Sequence, residues 1–531
     1  MPSPDLNLAD DRRKSSGHPP FKVLLIVPDI RADLYVHCGS IYEGVAYLSA
    51  FLKQAGYAVE LFVPKTAQEA EALEDCVRRC GPDLIGMSCA TNSYKYVREW
   101  STRIKVLRPG VPIICGGVHP TIAPDEVMAH PAIDMICRGE GEYVLLEVLK
   151  RLQKKESLRG IGGIWFKENG TIVRNPPGTL RDFDEFPFPD LDIFQIENSF
   201  YHRNRFGTLR ISRGCPYACT YCCNPSVRAV YPDGSNYVRF RSPENAIAFI
   251  EEYLKRYPYL ETLAFLDDVL FLNTAWFERF VDLYRQKIRL PFACRGRVNL
   301  FNERMAQLLK DANCYEVTFG VEAGNDWIRN EVLGRQMTKE AIVKAFKLAK
   351  AYGLKTRANN MIGVPFETLD SIWETVRLNA ELDYDVSLNC VFFPFQGSKL
   401  YTVCRDKGFL DEREVADAPF SEESLLNLPG IRKKQILYFK LWFDILVGAY
   451  KRAPKAFGFL EWLHRQKFYP YGLLIQVYRG CQQLRKLGYR IKMKLGLAIK
   501  RYTARGVPMP KTEPVSTACG PDSGRGKIDG N

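Results

Sequence analysis

From residue 21 to residue 155, short runs of consecutive apolar residues alternate with stretches in which apolar positions recur every three or four residues. FKVLLIV (21–27), AVELFV (58–63), DLIGMSC (83–89), VPIICGG (111–117) and the start of IDMICRGEGE (133–142) read as buried strands. Residues 42–55, the stretch reaching Arg79, the stretch reaching Leu107 and the run after residue 142 read as amphipathic helices. Apolar strands separated by helices predict a parallel, doubly wound, Rossmann-like sheet. Ligands of such sheets sit at the carboxyl ends of the strands. The loops expected there are SCATNS (88–93), CGGVHPT (115–121) and CRGEGE (137–142), whose small and polar residues let a backbone approach a ligand.

The rhythm lapses over 156–205. GIGGIWFKENGTIVRN predicts a hairpin turning at Asn169–Gly170, and the proline-rich FDEFPFPDLDIF predicts a linker. It resumes over 206–430 with TLRISRG, LAFLDD, FACRGRV, EVTFGVEAG, TRANNMIGVP and VSLNCVFFPF, separated by helices such as Pro243–Arg256 and Lys339–Tyr352. Six such units predict an open (βα)6 partial TIM barrel, with polar residues at the strand ends where a barrel's active site lies. Residues 431–505 read as helical, with Leu484, Leu487, Ile491, Leu495, Ala498 and Tyr502 on one face. The polar leader 1–20 and the Pro/Gly/Ser-rich tail 506–531 are expected to be disordered. The leader lacks the apolar core of a secretory signal, and no run of 18 apolar residues predicts a membrane span. The expectation is a cytoplasmic protein.

Composition adds one asymmetry. The chain has 531 residues, 46% hydrophobic and 25% charged, as in a soluble protein of more than one domain. Its net charge of +13 is uneven: Arg432–Arg505 carries 18 Lys/Arg against 2 Asp/Glu, which leaves residues 1–431 at −3. The bulk of the protein therefore has no electrostatic footprint for nucleic acid. The basic segment has two readings, peripheral contact with an anionic membrane or a solvated face capping the barrel. The run FYPYGLLIQVY (468–478) is expected to pack near the barrel mouth.

Sixteen cysteines are present. Cys89, Cys115, Cys137 and Cys390 stand singly in apolar stretches and read as core residues. The exception is RGCPYACTYCC (213–223), where Cys215, Cys219 and Cys222 have the spacing C-x-x-x-C-x-x-C. Three thiolates on one loop suit three irons of a [4Fe–4S] cube and leave the fourth iron open. A disulfide fits poorly in so short a loop. A structural zinc site lacks a fourth ligand, and an ordinary ferredoxin lacks a placed fourth cysteine. Cys223 reads as packing.

RGCPYACTYC at the end of the first barrel strand resembles the radical S-adenosylmethionine (SAM) superfamily, over about residues 205–400. The resemblance implies that Cys215, Cys219 and Cys222 bind the cluster, that SAM chelates the open iron, and that Tyr221 lies against the adenine. LAFLDDVLF is similar to the family's second-strand motif, with Asp267 and Asp268 replacing the usual Gly-Gly-Glu before the SAM amino group. Each acid alone also reads as a helix cap or turn. By the same resemblance Glu322 and Arg297 meet the SAM ribose or carboxylate. Gly363 and Pro365 shape the adenine pocket, with Phe366 replacing a family glycine and Glu367 read as a helix cap.

In front of such a barrel the 21–155 sheet resembles the cobalamin-binding domain of the class B branch, on GGVHPTIAPDEVM and CRGEGE. Ser88, Thr91, Gly116, Gly117, His119 and Glu140 are then the candidate cobalamin contacts. His119 also reads as a loop histidine bonded locally, and the domain as one that has lost its cobalamin. The family implies an enzyme in which a 5′-deoxyadenosyl radical activates an unactivated carbon that then receives a methyl group from cobalamin. It also implies an electron donor of the flavodoxin or ferredoxin kind and a small-molecule or lipid-linked substrate. The alternatives are cyclisation or oxidation, as in the anaerobic magnesium-protoporphyrin monomethyl ester cyclase relatives, and a non-catalytic iron–sulfur or cobalamin sensor.

Overall fold

Strand β1 (Lys22–Ile26) sends alternate side chains to opposite faces of its sheet. Leu24 and Ile26 enter one buried cluster, and Val23 and Leu25 enter another. Only a sheet covered on both sides buries a continuous apolar run in this way. The computed structural model describes residues 21–29, 42–64, 70–232, 236–410, 423–466 and 469–483. They fall into two units. The first extends to Arg181 and includes Glu185–Ser199 and Val230–Pro232; the second holds Asp182–Asp184, Phe200–Ala229 and the remainder.

In the first unit β2 (Ala58–Phe62), β1, β3 (Leu84–Ser88), β4 (Ile113–Gly116) and β5 (Met135–Cys137) lie in that order, all parallel. Helices Glu43–Gln54 and Glu142–Lys154 cover one face through Val45, Leu52, Leu145 and Leu149. Helices Ala70–Cys80 and Tyr94–Leu107 cover the other through Leu73, Val77, Val97 and Trp100. The hairpin expected in the linker instead continues this sheet. Its strands β6 (Ile164–Glu168) and β7 (Thr171–Arg174) add antiparallel to β5. Ile164 and Phe166 bury in the same cluster as Met135 and Cys137, which explains the attachment. The turn falls at Asn169–Gly170 as predicted, with φ +50° and +77°.

In the second unit β8 (Phe206–Leu209), β11 (Thr262–Phe265), β12 (Phe292–Gly296), β13 (Cys314–Glu322), β14 (Lys355–Ile362) and β15 (Val386–Val391) form a parallel sheet in sequence order. Between β8 and β11 a small antiparallel pair forms from β9 (Ser212–Arg213) and β10 (Arg239–Phe240). TLRISRG was expected as one strand; it breaks after Leu209. The Ile211 amide, which a continued strand would offer to its neighbour, donates to Asp267 instead. The intervening helices begin at short polar caps, with Ser242, Asn273, Asn302, Thr338, Thr368 and Ser398 accepting from the first-turn amides.

Helix Lys433–Arg452 packs its Ile436, Phe439 and Phe443 on the core beside β14 and β15, and Tyr471 and Ile475 of a helix over 471–483 join it. The described part of the 468–478 run, from residue 469, thus contributes to this core. The leader, the tail and the Leu484–Tyr502 face lie outside the described residues. Among the described residues no helix is long and apolar enough to cross a membrane.

Candidate functional site

The cysteine loop leaves β9 through Gly214, whose φ is +82°. A Cβ there would stand 2.3 Å from the Tyr237 carbonyl, so the turn requires glycine. Cys219 is buried, and Cys215 and Cys222 are half-buried. Thr220 pins the loop: its amide donates to Leu333 O at 3.1 Å and its hydroxyl to Val332 O at 2.6 Å. Its carbonyl accepts from the Leu400 amide at 2.9 Å. The Asn224 amide and side chain donate to the Cys222 sulfur at 3.5 and 3.6 Å. The Cys223 thiol and Asn224 together bring Cys222 down to about 7 despite burial. Burial pushes Cys215 up to about 11. Cys223 is raised by its bond to Cys222 and by burial, in keeping with a neighbour that stays protonated.

Two guanidiniums meet at Cys219. Arg297 and Arg335 each donate to its sulfur at 3.7 Å. Arg297, 4% exposed, lies 3.8 Å over the Tyr217 ring and donates to the Arg335 carbonyl. Arg335 also donates to the Tyr221 hydroxyl at 3.2 Å and to Gly320 O at 2.6 Å. Tyr221 donates in turn to the Glu322 carboxylate at 3.2 Å. A bulge in β13 between Gly320 and Glu322 leaves Glu322 at φ +65° and turns its side chain toward the cysteine loop. Burial pushes the Glu322 carboxyl up, opposed by Arg335, Tyr221 and Arg297. Sequence reasoning missed Arg335, Thr220 and Asn224, because nothing in local spacing marks residues that converge from separate loops.

The two aspartates after β11 separate. Asp267 has no exposed surface; it accepts from the Ile211 amide at 3.0 Å and from the Ser212 hydroxyl. It braces the β8–β9 corner rather than opening onto the site, and burial pushes its carboxyl up. Asp268 accepts from Asn224 at 2.9 Å beside Cys222. After β14, Gly363 and Pro365 are buried. Glu367, read from sequence as a helix cap, instead reaches back to the Gly363 and Val364 amides at 2.5 and 3.2 Å. Thr368 caps the helix. Burial raises Glu367 to about 8. Phe366 holds φ +66° at the position where the family motif has glycine, with its ring against Trp327 and Phe409.

In the first unit the candidate contacts gather at the ends of β3, β4 and β5. Gly117, at φ +106°, is exposed, and a Cβ there would meet Cys89 O at 2.7 Å. Ser88, Gly116 and Glu140 are half-buried. His119 is 1% exposed, bonded to Thr91 Oγ1 at 3.3 Å, tilted against the Tyr94 ring with centroids 4.4 Å apart, and 3.5 Å from the Glu126 carboxylate. Burial brings it down to about 4, so it is a neutral histidine bonded locally beneath the loop. Thr91 is buried with it.

The donor set fits an iron–sulfur cluster: three soft thiols, Cys215, Cys219 and Cys222, spaced along one loop, with the fourth, Cys223, bonded to its neighbour Cys222. Among the described residues no three His, Cys, Asp or Glu side chains converge on one ion. A cube asks for none, since each thiolate takes its own iron. The exposed Gly117 loop beside Ser88 and Glu140 leaves open the strand ends where a corrin would lie. A surface cavity of about 620 Å³ lies elsewhere, between the loop after β13 and the outer helices. Its cations Lys339, Arg377 and Lys451 are already paired with Glu381, Glu461 and Asp383, which leaves no free cation for a ligand there.

Comparison with known proteins bears on both units. Residues 43–149 match the B12 binding domain and residues 209–378 the radical SAM superfamily. An uncharacterized methyltransferase of Pyrococcus horikoshii is 28% identical over 72% of this chain and 82% of its own length. An anaerobic magnesium-protoporphyrin IX monomethyl ester cyclase of Rubrivivax gelatinosus is 26% identical over 68% of this chain and 66% of its own. The structure of the radical S-adenosylmethionine methyltransferase TsrM from Kitasatospora setae, with cobalamin and a [4Fe–4S] cluster bound, shares the fold. Its TM-score is 0.59 at 17% identity, over 73% of this chain and 75% of that one.

Proposed function

Because the chain joins a B12-binding domain to a radical SAM domain, it belongs to the cobalamin-binding radical SAM enzymes, and we propose that it methylates an unactivated carbon of its substrate. The observation that carries this reading is the three-thiol loop at the head of a six-stranded half-barrel, in a chain that also holds a B12-binding domain. Cys215, Cys219 and Cys222 are the proposed cluster ligands. When bound, the cluster supplies one electron for SAM cleavage and cobalamin carries the methyl group.

The chain's own residues orient and enclose. Arg297, Glu322 and Asp268 offer charge to the amino acid end of SAM, and Tyr221, Gly363 and Pro365 shape the place for its adenine. Asp267 supports them through the β8–β9 corner without touching the ligand. Ser88, Gly116, Gly117 and Glu140 line the proposed corrin site, and Thr91 and His119 hold its loop from below. The electron donor is of the flavodoxin or ferredoxin kind, and the substrate is a small molecule or lipid-linked. Peripheral contact with an anionic membrane is supported by the exposed, stacked Phe459 and Trp462 beside the basic C-terminal region. Liposome flotation of a Phe459→Ser, Trp462→Ser chain equal to that of the wild type removes it.

Cyclisation or oxidation without methyl transfer is the second reading, favoured by the likeness to the cyclase. Anaerobically reconstituted protein, reductant and methyl-labelled SAM decide between them. Label recovered on the cobalamin supports methylation. 5′-Deoxyadenosine formed while the cobalamin stays unlabelled supports the second reading, and no SAM cleavage in reductant overturns both.

A further inference from the structure

Cys219 differs from the two other thiols expected to hold the cluster. Cys222 accepts from a neutral carboxamide, whereas Cys219 accepts from two guanidiniums, Arg297 and Arg335. Arg297 rests on the Tyr217 ring and donates to the Arg335 carbonyl, and Arg335 donates to Gly320 O and Tyr221. The segment carrying Arg335 is fixed to the cysteine loop by the Thr220 bonds to Val332 and Leu333. Among the described residues neither guanidinium makes a direct ion pair; Glu322 is a carboxylate whose charge acts on both, and the Nε atom of each is buried without a partner. Two positive charges are thus held in a desolvated place against one sulfur.

We propose that Arg297 and Arg335 are positioning residues that raise the reduction potential of the cluster through Cys219; this rests on Cys219 being a cluster ligand. A cluster gains one negative charge on reduction. Hydrogen bonds and positive charge at its sulfurs stabilise that state more than the oxidised one. The effect is strong here because the donors are charged and shielded from water. One electron passes from an external one-electron reductant to the cluster, and no bond forms or breaks in that step. The two arginines let a weaker reductant load the cluster.

The test is a redox titration followed by electron paramagnetic resonance on the full-length, anaerobically reconstituted protein without SAM, using dithionite and mediators. Arg335→Gln and Arg297→Gln are expected to move the midpoint to more negative potential at unchanged iron and sulfide content. Arg335→Lys, which keeps the charge but loses the fork, is expected between Arg335→Gln and wild type. Midpoints equal to wild type in both glutamine variants overturn the proposal. If one glutamine variant takes up no cluster, the other carries the test on the same sulfur. If neither does, the arginines serve assembly and the tuning role is overturned. Cys219→Ser separates the premise: full iron content and an unchanged spectrum in that variant remove the ligand assignment itself.

Discussion

The Tyr221 hydroxyl donates to the Glu322 carboxylate across 3.2 Å, joining the cysteine loop to the end of β13, 101 residues along the chain. Tyr221→Phe removes that bond and the acceptor for Arg335 while keeping the ring. A hydrogen bond to a charged group contributes about 1.5 kcal/mol, so 5′-deoxyadenosine formation should fall about tenfold. Cluster content should stay at the wild-type level. An unchanged rate means that the pair does not take part in holding SAM.

Asp267 and Asp268 should separate in stability. Asp267→Ala orphans the buried Ile211 amide and the Ser212 hydroxyl, at about 2–3 kcal/mol. Asp268→Ala leaves only the half-buried Asn224 amide and should cost less than about 1 kcal/mol. Thermal unfolding of the two apoproteins, side by side, measures the difference; equal midpoints contradict the bracing role of Asp267.

Phe366 reverses an ordinary ranking. At φ +66° a side chain is strained, by about 1–3 kcal/mol. Phe366→Ala keeps the strain and loses the packing on Trp327 and Phe409. Phe366→Gly loses the packing and relieves the strain. The glycine variant should therefore unfold at the higher temperature of the two, and the opposite order would show that the backbone is relaxed there.

His119 makes the first unit sensitive to acid. Its folded value is about 4, against an ordinary 6.5, because it is buried and near Arg98. Its contribution is complete above about pH 6.5 and is lost as the pH falls toward 4, since the unfolded chain takes up the proton first. Between pH 7 and pH 5 the loss is about 2 kcal/mol. The unfolding midpoint of the first unit should fall over that range in wild type and fall less in His119→Gln.

Much of this was legible along the chain because it is local. The strands are the apolar runs, and the helices start at short polar caps such as Ser242 and Thr338. The Asn169–Gly170 turn is set by two adjacent residues that tolerate positive φ. The three cysteines announce themselves because their spacing lies within one loop.

What the chain pattern could not decide is where side chains from separate elements meet. The hairpin at 164–174 joined the first sheet because Ile164 and Phe166 found the face already built by β5. Asp267 and Asp268 are adjacent in sequence, yet one is buried at the β8–β9 corner and the other faces Asn224. Alternation along β13 says nothing of the bulge that turns Glu322 toward Tyr221. Arg335, unremarkable in sequence, reaches Cys219 only because Thr220 fastens its segment to the cysteine loop. Spacing and periodicity specify elements and a cysteine loop; the charges around that loop come from closure of contacts distant in sequence, which only the folded chain provides.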